Sequence, residues 1–346
     1  IDSFPCLTKH EMYARIGEAS AAFADWSDRS FEERGEVLRS VARQLRAEKH
    51  DLAQLMALEM GKPIREGVPE VEKAAFCAEF YADNAEKFLA RDTIESDASL
   101  SYVCYQPLGT LLGILPWNAP LWLAFRYLAP ALMAGNTCVM KHDPNVPQTA
   151  QAIANAFIKA GAPENIMVNL PLETPEVELA IRDPRIMAIS FTGSGGAGRK
   201  VAEIAGSEIK PCVLELGGSD PSIILADADL ETAADVVCLS RVINAGQSCI
   251  AAKRIIVEAE IYNHFIDLLS TRLSKLQLGD PLQPNTDIGP IARKDLQLNL
   301  HRQVEDTVAA GAKCLLGGEL PDAEGFFYPV TLLTDVTPTM CAFREE

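Results

Sequence analysis

Between residues 110 and 216 the chain alternates five short apolar runs with four helical ones, and this alternation constrains the fold more than any other feature. The apolar runs are 110–115, 137–140, 166–170, 186–191 and 212–216. The helical ones are 121–134, 147–160, 174–182 and 197–205. Strand–helix–strand repeats of this length demand parallel crossovers, so the expected class is α/β with a parallel, nucleotide-binding sheet. Ligands of such sheets bind beyond the carboxyl ends of the strands.

The flanking segments fit around that sheet. Residues 11–90 read as mostly helical. Ser30 followed by Glu33 forms a capping box, and Leu38, Val41, Ala42 and Leu45 repeat at helical spacing. A second helix containing Leu52, Leu55 and Met56 ends at Gly61 and Pro63. A third runs over 70–90, with Val71, Ala75, Ala78 and Ala82 on one face; the aromatics Phe76, Phe80, Tyr81 and Phe88 are expected in the core. Residues 101–105 read as a strand. Beyond the sheet a second unit is expected, with strands at 221–225, 254–257 and 327–333 and helices at 229–243, 261–276 and 296–310.

Composition removes several classes of function. A net charge of −17 argues against a phosphate-binding nucleic-acid surface. No apolar run is long enough to cross a membrane as a helix. The nine cysteines are odd in number, scattered and free of Cys-x-x-Cys pairs, which argues against a disulfide framework or zinc site and for a reducing, cytoplasmic setting. The five histidines have no metal-ligand spacing, so no metal is expected.

Four places carry candidate chemistry. Asn244-Ala245-Gly246-Gln247-Ser248-Cys249 is a small-residue turn that presents a thiol before the apolar run Ile255-Ile256-Val257. Such a position suits a nucleophile, although most unpaired cysteines are small core residues. Gly193-Ser194-Gly195-Gly196-Ala197-Gly198 matches G-x-G-x-x-G between a strand and a helix, where glycines let a pyrophosphate approach the helix N-terminus. Glu215 lies about twenty positions further on, the distance of a ribose-binding acid. It also ends an apolar strand, where a partly desolvated carboxylate can serve as a general base. The pattern leaves both roles open. Asn118, in Pro116-Trp117-Asn118, is a candidate oxyanion donor, and Lys141 at the end of the next strand is a candidate phosphate or ribose ligand.

In this order, Asn118, Lys141, Phe191-Thr192-Gly193-Ser194, Glu215-Leu216-Gly217-Gly218 and Gly246-Gln247-Ser248-Cys249 resemble the aldehyde dehydrogenase superfamily. Leu58–Ile64, Gly246–Arg254 and Asp287-Ile288-Gly289-Pro290 are most similar to bacterial succinate-semialdehyde dehydrogenases. The resemblance implies a modified Rossmann domain at 1–88 and 108–219, an oligomerisation strand segment at 89–107 and an α/β catalytic domain at 220–346. It implies that Cys249 is the nucleophile, Glu215 the general base, and the Asn118 side chain with the Cys249 N–H the oxyanion hole. Leu115, Pro116, Trp117, Lys141, Phe191, Gly193, Ser194, Gly198, Leu216 and Glu346 would surround the cofactor, Glu346 at the nicotinamide ribose. The reaction implied is NAD(P)-dependent oxidation of an aldehyde to an acid through a thiohemiacetal and a thioester.

Arg126 matches the arginine that meets the substrate carboxylate in succinate-semialdehyde enzymes. A second arginine of some relatives is replaced by Ile243, with Arg241 nearby, so glutarate semialdehyde or an aliphatic aldehyde is the alternative substrate. Asp143 would repel a 2′-phosphate, which favours NAD over NADP. A homodimer or homotetramer is expected. Family members are longer, so the chain is expected to be truncated or fragmentary, with an inactive cofactor-binding fragment as the reading from another class.

Overall fold

The computed structural model of the protein describes residues 3–346, so the first two residues of the expected cofactor domain lie outside it. The chain divides into two compact units, 1–55 with 68–216 and 56–67 with 217–346.

The first unit opens with helices α1 (Lys9–Asp28) and α2 (Phe31–Ala47). Helix α3 (Lys49–Met60) and helix α4 (Ile64–Phe88) follow. The capping box at Ser30 forms as expected: the Glu33 N–H donates to Ser30 Oγ (3.2 Å) and the Ser30 N–H to Glu33 (2.8 Å). Thr8 and Glu11 make the same motif before α1. A hairpin of two very short strands, β1 (Asp92–Thr93) and β2 (Tyr102–Val103), comes next. The strand expected over 101–105 is thus reduced to two residues.

The sheet is built by β3 (Thr110–Leu115), β4 (Thr137–His142), β5 (Met167–Asn169), β6 (Ile186–Gly193) and β7 (Cys212–Leu216). Helices α5 (Pro120–Met133), α6 (Pro147–Lys159), α7 (Thr174–Arg182) and α8 (Gly195–Ser207) connect them. The order is β5-β4-β3-β6-β7 and every pairing is parallel. This is the α/β sheet that the alternation predicts. Leu112, Val139, Val168, Ile189 and Phe191 from the strands are buried with Met12 and Ile16 of α1.

The aromatics of α4 depart from expectation. Phe76 is 61% exposed, Phe80 40% and Phe88 51%. Their rings cluster on the outer face, with Phe80 and Phe88 centroids 5.9 Å apart. The buried apolar residues are Val71, Ala74, Ala75, Cys77, Ala78 and Ala85. Helical periodicity, not side-chain size, decided which face is inside.

The second unit contains β8 (Pro221–Ile224), α9 (Leu230–Val242), β9 (Arg254–Val257), α10 (Tyr262–Leu273) and α11 (Lys294–Ala309). Strands β10 (Lys313–Leu316) and β11 (Leu332–Thr334) and a final turn of helix, α12 (Cys341–Arg344), complete it. Strands β8 and β9 pair in parallel, and Ile224, Val237, Phe265 and Leu269 pack together. The expected strand at 327–333 begins only at Leu332; it pairs with β10, which the sequence reading missed. Pro329 lies in the part that stays irregular, where a residue without an N–H cannot join a ladder.

Residues 56–67 belong with the second unit for identifiable reasons. The Ile64 N–H donates to Pro281 O (2.8 Å), and Arg65 pairs with Asp287 (2.7 Å). A Cβ on Gly61 would meet Pro290 at 2.7 Å, and its φ of +79° also favours glycine. Among the described residues no helix is long and apolar enough to cross a membrane.

Candidate active site

Strand register assembles one edge of the site. In the parallel sheet Ile114 lies opposite Lys141 and Phe191, Thr192 opposite Glu215, and Gly193 opposite Leu216. The carboxyl ends of β3, β4, β6 and β7 therefore finish level. Each hands over a predicted residue: Leu115 and the Pro116–Asn118 bend, Lys141, Ser194, and Glu215 with Leu216. The bend containing Asn118 leads into α5, whose first turn is capped from afar. Glu70, buried, accepts the N–H groups of Leu121 (3.0 Å) and Trp122 (3.2 Å). Nothing local in the sequence announced this partner, because it comes from another helix.

The glycine loop divides into two kinds of position. A Cβ on Gly193 would meet the Phe191 ring at 2.7 Å, and one on Gly198 would meet Leu216 at 2.6 Å. Close packing of α8 on β6 and β7 thus requires Gly198, while Gly193 makes room for the Phe191 ring of its own strand. Gly196 faces open space. Ser194 caps α8 by accepting the Ala197 N–H, and the first turn holds no acidic side chain. An open, uncapped-by-acid N-terminus of this kind suits an anion. Lys141 is buried at the end of β4, and desolvation pulls its pKa below the usual lysine value, with Asp143 partly opposing. Next to it His142 is fully enclosed, and burial lowers its pKa to about 4. It donates from Nε2 to Pro120 O (3.0 Å) and accepts the Asp143 N–H at Nδ1 (3.1 Å), the tautomer of a neutral ring.

Glu215 differs from the partly desolvated carboxylate expected. Its side chain is 46% exposed on edge strand β7. Its Oε2 lies 2.7 Å from Nη2 of Arg126, which projects from the outer face of α5. The predicted base and the predicted substrate-binding residue are an ion pair.

In the second unit Cys249 sits, half-buried, in a turn closed by Ala251 N–H to Ser248 O (3.1 Å). The preceding backbone has an unusual shape. Asn244, Ala245 and Gly246 are consecutively left-handed, with φ of 54°, 54° and 76°. For an alanine this costs roughly 1–2 kcal/mol, and only surrounding structure can impose it. Glu66 accepts the Asn244 N–H (2.7 Å). Asn244 and Gln247 exchange side-chain-to-carbonyl bonds (3.2 and 3.0 Å), and Gln247 also accepts the Ala292 N–H (3.0 Å). Arg241, whose pKa desolvation lowers, donates to Gly246 O (3.1 Å). That bond commits Arg241 to the backbone of the turn.

Lys253 fastens the other side. Its ammonium donates to Gly218 O, to Cys249 O (3.0 Å) and to the Glu346 carboxylate (3.0 Å). A Cβ on Gly217 would come within 1.5 Å of Glu346 Oε2, so the carboxylate rests on a bare backbone. From the sequence Cys249 and Glu346 had roles but Lys253, Glu66 and Gln247 had none, because their bonds to Gly218, Glu346, Asn244 and Ala292 join residues 35 or more positions apart.

The model of the Aldehyde dehydrogenase family matches residues 1–346. The chain belongs to the aldehyde dehydrogenase family. It is an oxidoreductase acting on aldehydes. It is 44% identical over 349 positions to the succinate-semialdehyde dehydrogenase [NADP(+)] 1 of Mycobacterium tuberculosis, covering all of this chain and 76% of that protein. It is 45% identical to a probable succinate-semialdehyde dehydrogenase [NADP(+)] of Synechocystis sp., again over all of this chain and 76% of the relative. Among solved aldehyde dehydrogenases, the succinic semialdehyde dehydrogenase of Streptococcus pyogenes in complex with NADP+ superposes with a TM-score of 0.97 at 32% identity. That match covers 100% of this chain and 76% of the other.

Proposed function

We propose that the protein oxidises succinate semialdehyde to succinate with a pyridine nucleotide, NADP in preference to NAD. The observation that carries the substrate is Arg126: its guanidinium stands at the carboxyl edge of the sheet, in ion-pairing distance of a carboxylate. The names of the relatives point the same way.

For the cofactor, Asp143 does not weigh toward NAD. Asp143 Oδ1 accepts the Asn145 N–H (2.9 Å), which turns it into its own loop, and the relatives named above carry NADP in their names. The residues present fit a dinucleotide. Gly196 leaves room at the N-terminus of α8, Ser194 and Lys141 supply donors, and Glu346 on Gly217 offers a carboxylate to ribose hydroxyls. Leu115, Pro116, Trp117, Phe191, Gly193, Gly198 and Leu216 would form the remaining walls. When bound, the nicotinamide supplies the hydride acceptor.

In this reading the Cys249 thiolate adds to the aldehyde carbon, and the oxygen takes the developing charge. The Asn118 amide and the Cys249 N–H donate to that oxygen. After oxidation to the thioester, Glu215 takes a proton from water, the water oxygen bonds to the acyl carbon, and the C–S bond breaks to restore the thiolate. The enzyme would act in the reducing cytoplasm, consistent with nine unpaired cysteines, as a homodimer or homotetramer. Residues 1–88 with 108–219 would serve as the cofactor domain, 89–107 as the oligomerisation segment and 220–346 as the catalytic domain.

The test is a steady-state assay with succinate semialdehyde and either nucleotide. Turnover with NADP above that with NAD is expected, and Cys249→Ala should lower it by about a thousandfold or more. Retained activity in Cys249→Ala would remove covalent catalysis, and equal use of propanal and succinate semialdehyde would remove the substrate assignment.

A further inference from the structure

The pairing of Arg126 with Glu215 makes two proposed roles compete. A carboxylate oxygen held by a guanidinium is not available to orient and deprotonate a water. A guanidinium holding Glu215 is not fully available to a substrate carboxylate. Both side chains are close to half-exposed, at 42% and 46%, so the pair is weakly held. Exposed pairs of this kind bias a population by about two- to fivefold. A small perturbation suffices to separate them.

We propose that a substrate carboxylate displaces Glu215 from Arg126 and thereby frees the base for thioester hydrolysis. The inference rests on the reading of Arg126 as the substrate's anchor. Two carboxylates brought to one guanidinium repel each other, and the like charge disfavours keeping both in place. The incoming anion can take the planar fork in a bidentate arrangement, in place of the contact that Glu215 Oε2 makes with Nη2 at 2.7 Å. Glu215 is then left without its cation, beside Thr192 on the sheet edge. An aldehyde lacking a carboxylate leaves the pair intact, and its thioester is hydrolysed slowly. Arg126 thus selects for carboxylated substrates twice, in binding directly and in hydrolysis through Glu215. In the second role it is a positioning residue.

The experiment isolates hydrolysis from hydride transfer. The activated ester p-nitrophenyl acetate acylates a thiolate with release of p-nitrophenolate and needs no nucleotide. A burst of p-nitrophenolate then reports acylation of Cys249, and the steady rate reports hydrolysis of the acyl-enzyme. Added propionate should raise the steady rate of the wild-type protein two- to fivefold, saturably, without changing the burst. Arg126→Met should exceed the unstimulated wild type two- to fivefold and show no response to propionate. Arg126→Gln provides a second loss of charge should the Met variant fold poorly, and the wild-type response to propionate requires no variant. No response, or inhibition, in the wild type overturns the inference. The underlying reading is tested separately. Arg126→Met should raise the KM for succinate semialdehyde roughly tenfold or more, and an unchanged KM would overturn that reading whatever propionate does.

Discussion

Around Cys249 the backbone is held by side chains; along the carboxyl edge of the five-stranded sheet it is held by the strands. The turn at Asn244–Gly246 adopts left-handed angles that no regular element would supply, and Glu66, Arg241 and Gln247 reach its carbonyl or N–H groups while Lys253 holds the Cys249 carbonyl. At the sheet edge the ladder itself sets Lys141 and Glu215 at the carboxyl ends of β4 and β7, with β3 and β6 between them. Side chains there are left free to meet ligands or, as with Arg126 and Glu215, each other. Where the main chain must take a costly shape, side chains become scaffolding. Where a sheet provides the shape, they stay available for chemistry.

That contrast can be attacked at the turn first. Lys253 donates to two main-chain carbonyls as well as to Glu346. Lys253→Met should lower stability by about 3 kcal/mol, since charged donors contribute more than neutral ones. Urea unfolding would measure the loss, and the rate of Cys249 alkylation by iodoacetamide should change with it. If neither moves, Glu66 and Gln247 suffice and Lys253 is not scaffolding.

The sheet edge has its own internal test at His142. Its folded pKa of about 4 lies below the ordinary histidine value of 6.5, so the unfolded chain binds the proton more readily. The stabilisation is complete above the unfolded value and is lost as pH falls from there toward 4. Between pH 8 and pH 5 this group should remove about 2 kcal/mol. The pH dependence of the urea midpoint should flatten in that window in His142→Gln. An unaltered slope would mean that the ring does not stay neutral and enclosed between Pro120 and Asp143.

The smallest effect sharpens the contrast. Ala245 is held at a positive φ, so Ala245→Gly relieves strain and stabilises by up to about 1 kcal/mol. A higher melting temperature together with slower turnover would mark the strain as part of the positioning of Cys249, the proposed nucleophile. A lower melting temperature would mean that the left-handed turn costs little.

How much of this was legible beforehand follows the same division. The five strands, their helices and the capping box at Ser30 could be read because each depends on neighbours a few residues away. The glycine loop and Cys249 stood out for the same reason. The exposed aromatics of α4 misled, because large apolar side chains suggest burial while the alanine stripe determined the packed face. The two-residue hairpin, β10 and the late start of β11 were missed or overextended, since pairing partners decide strand length.

The sequence by itself determined the α/β class, the order of the motifs and the chemical type of each candidate residue. Only the tertiary structure decided that Glu215 faces Arg126 rather than an apolar pocket, that Arg241 serves the Gly246 carbonyl, and that Lys253 binds Cys249 and Glu346 to the Gly217–Gly218 turn. Hydrogen bonds and ion pairs act over a few ångströms, and the residues that make these are tens of positions apart or are turned by a backbone shape that no local pattern announces.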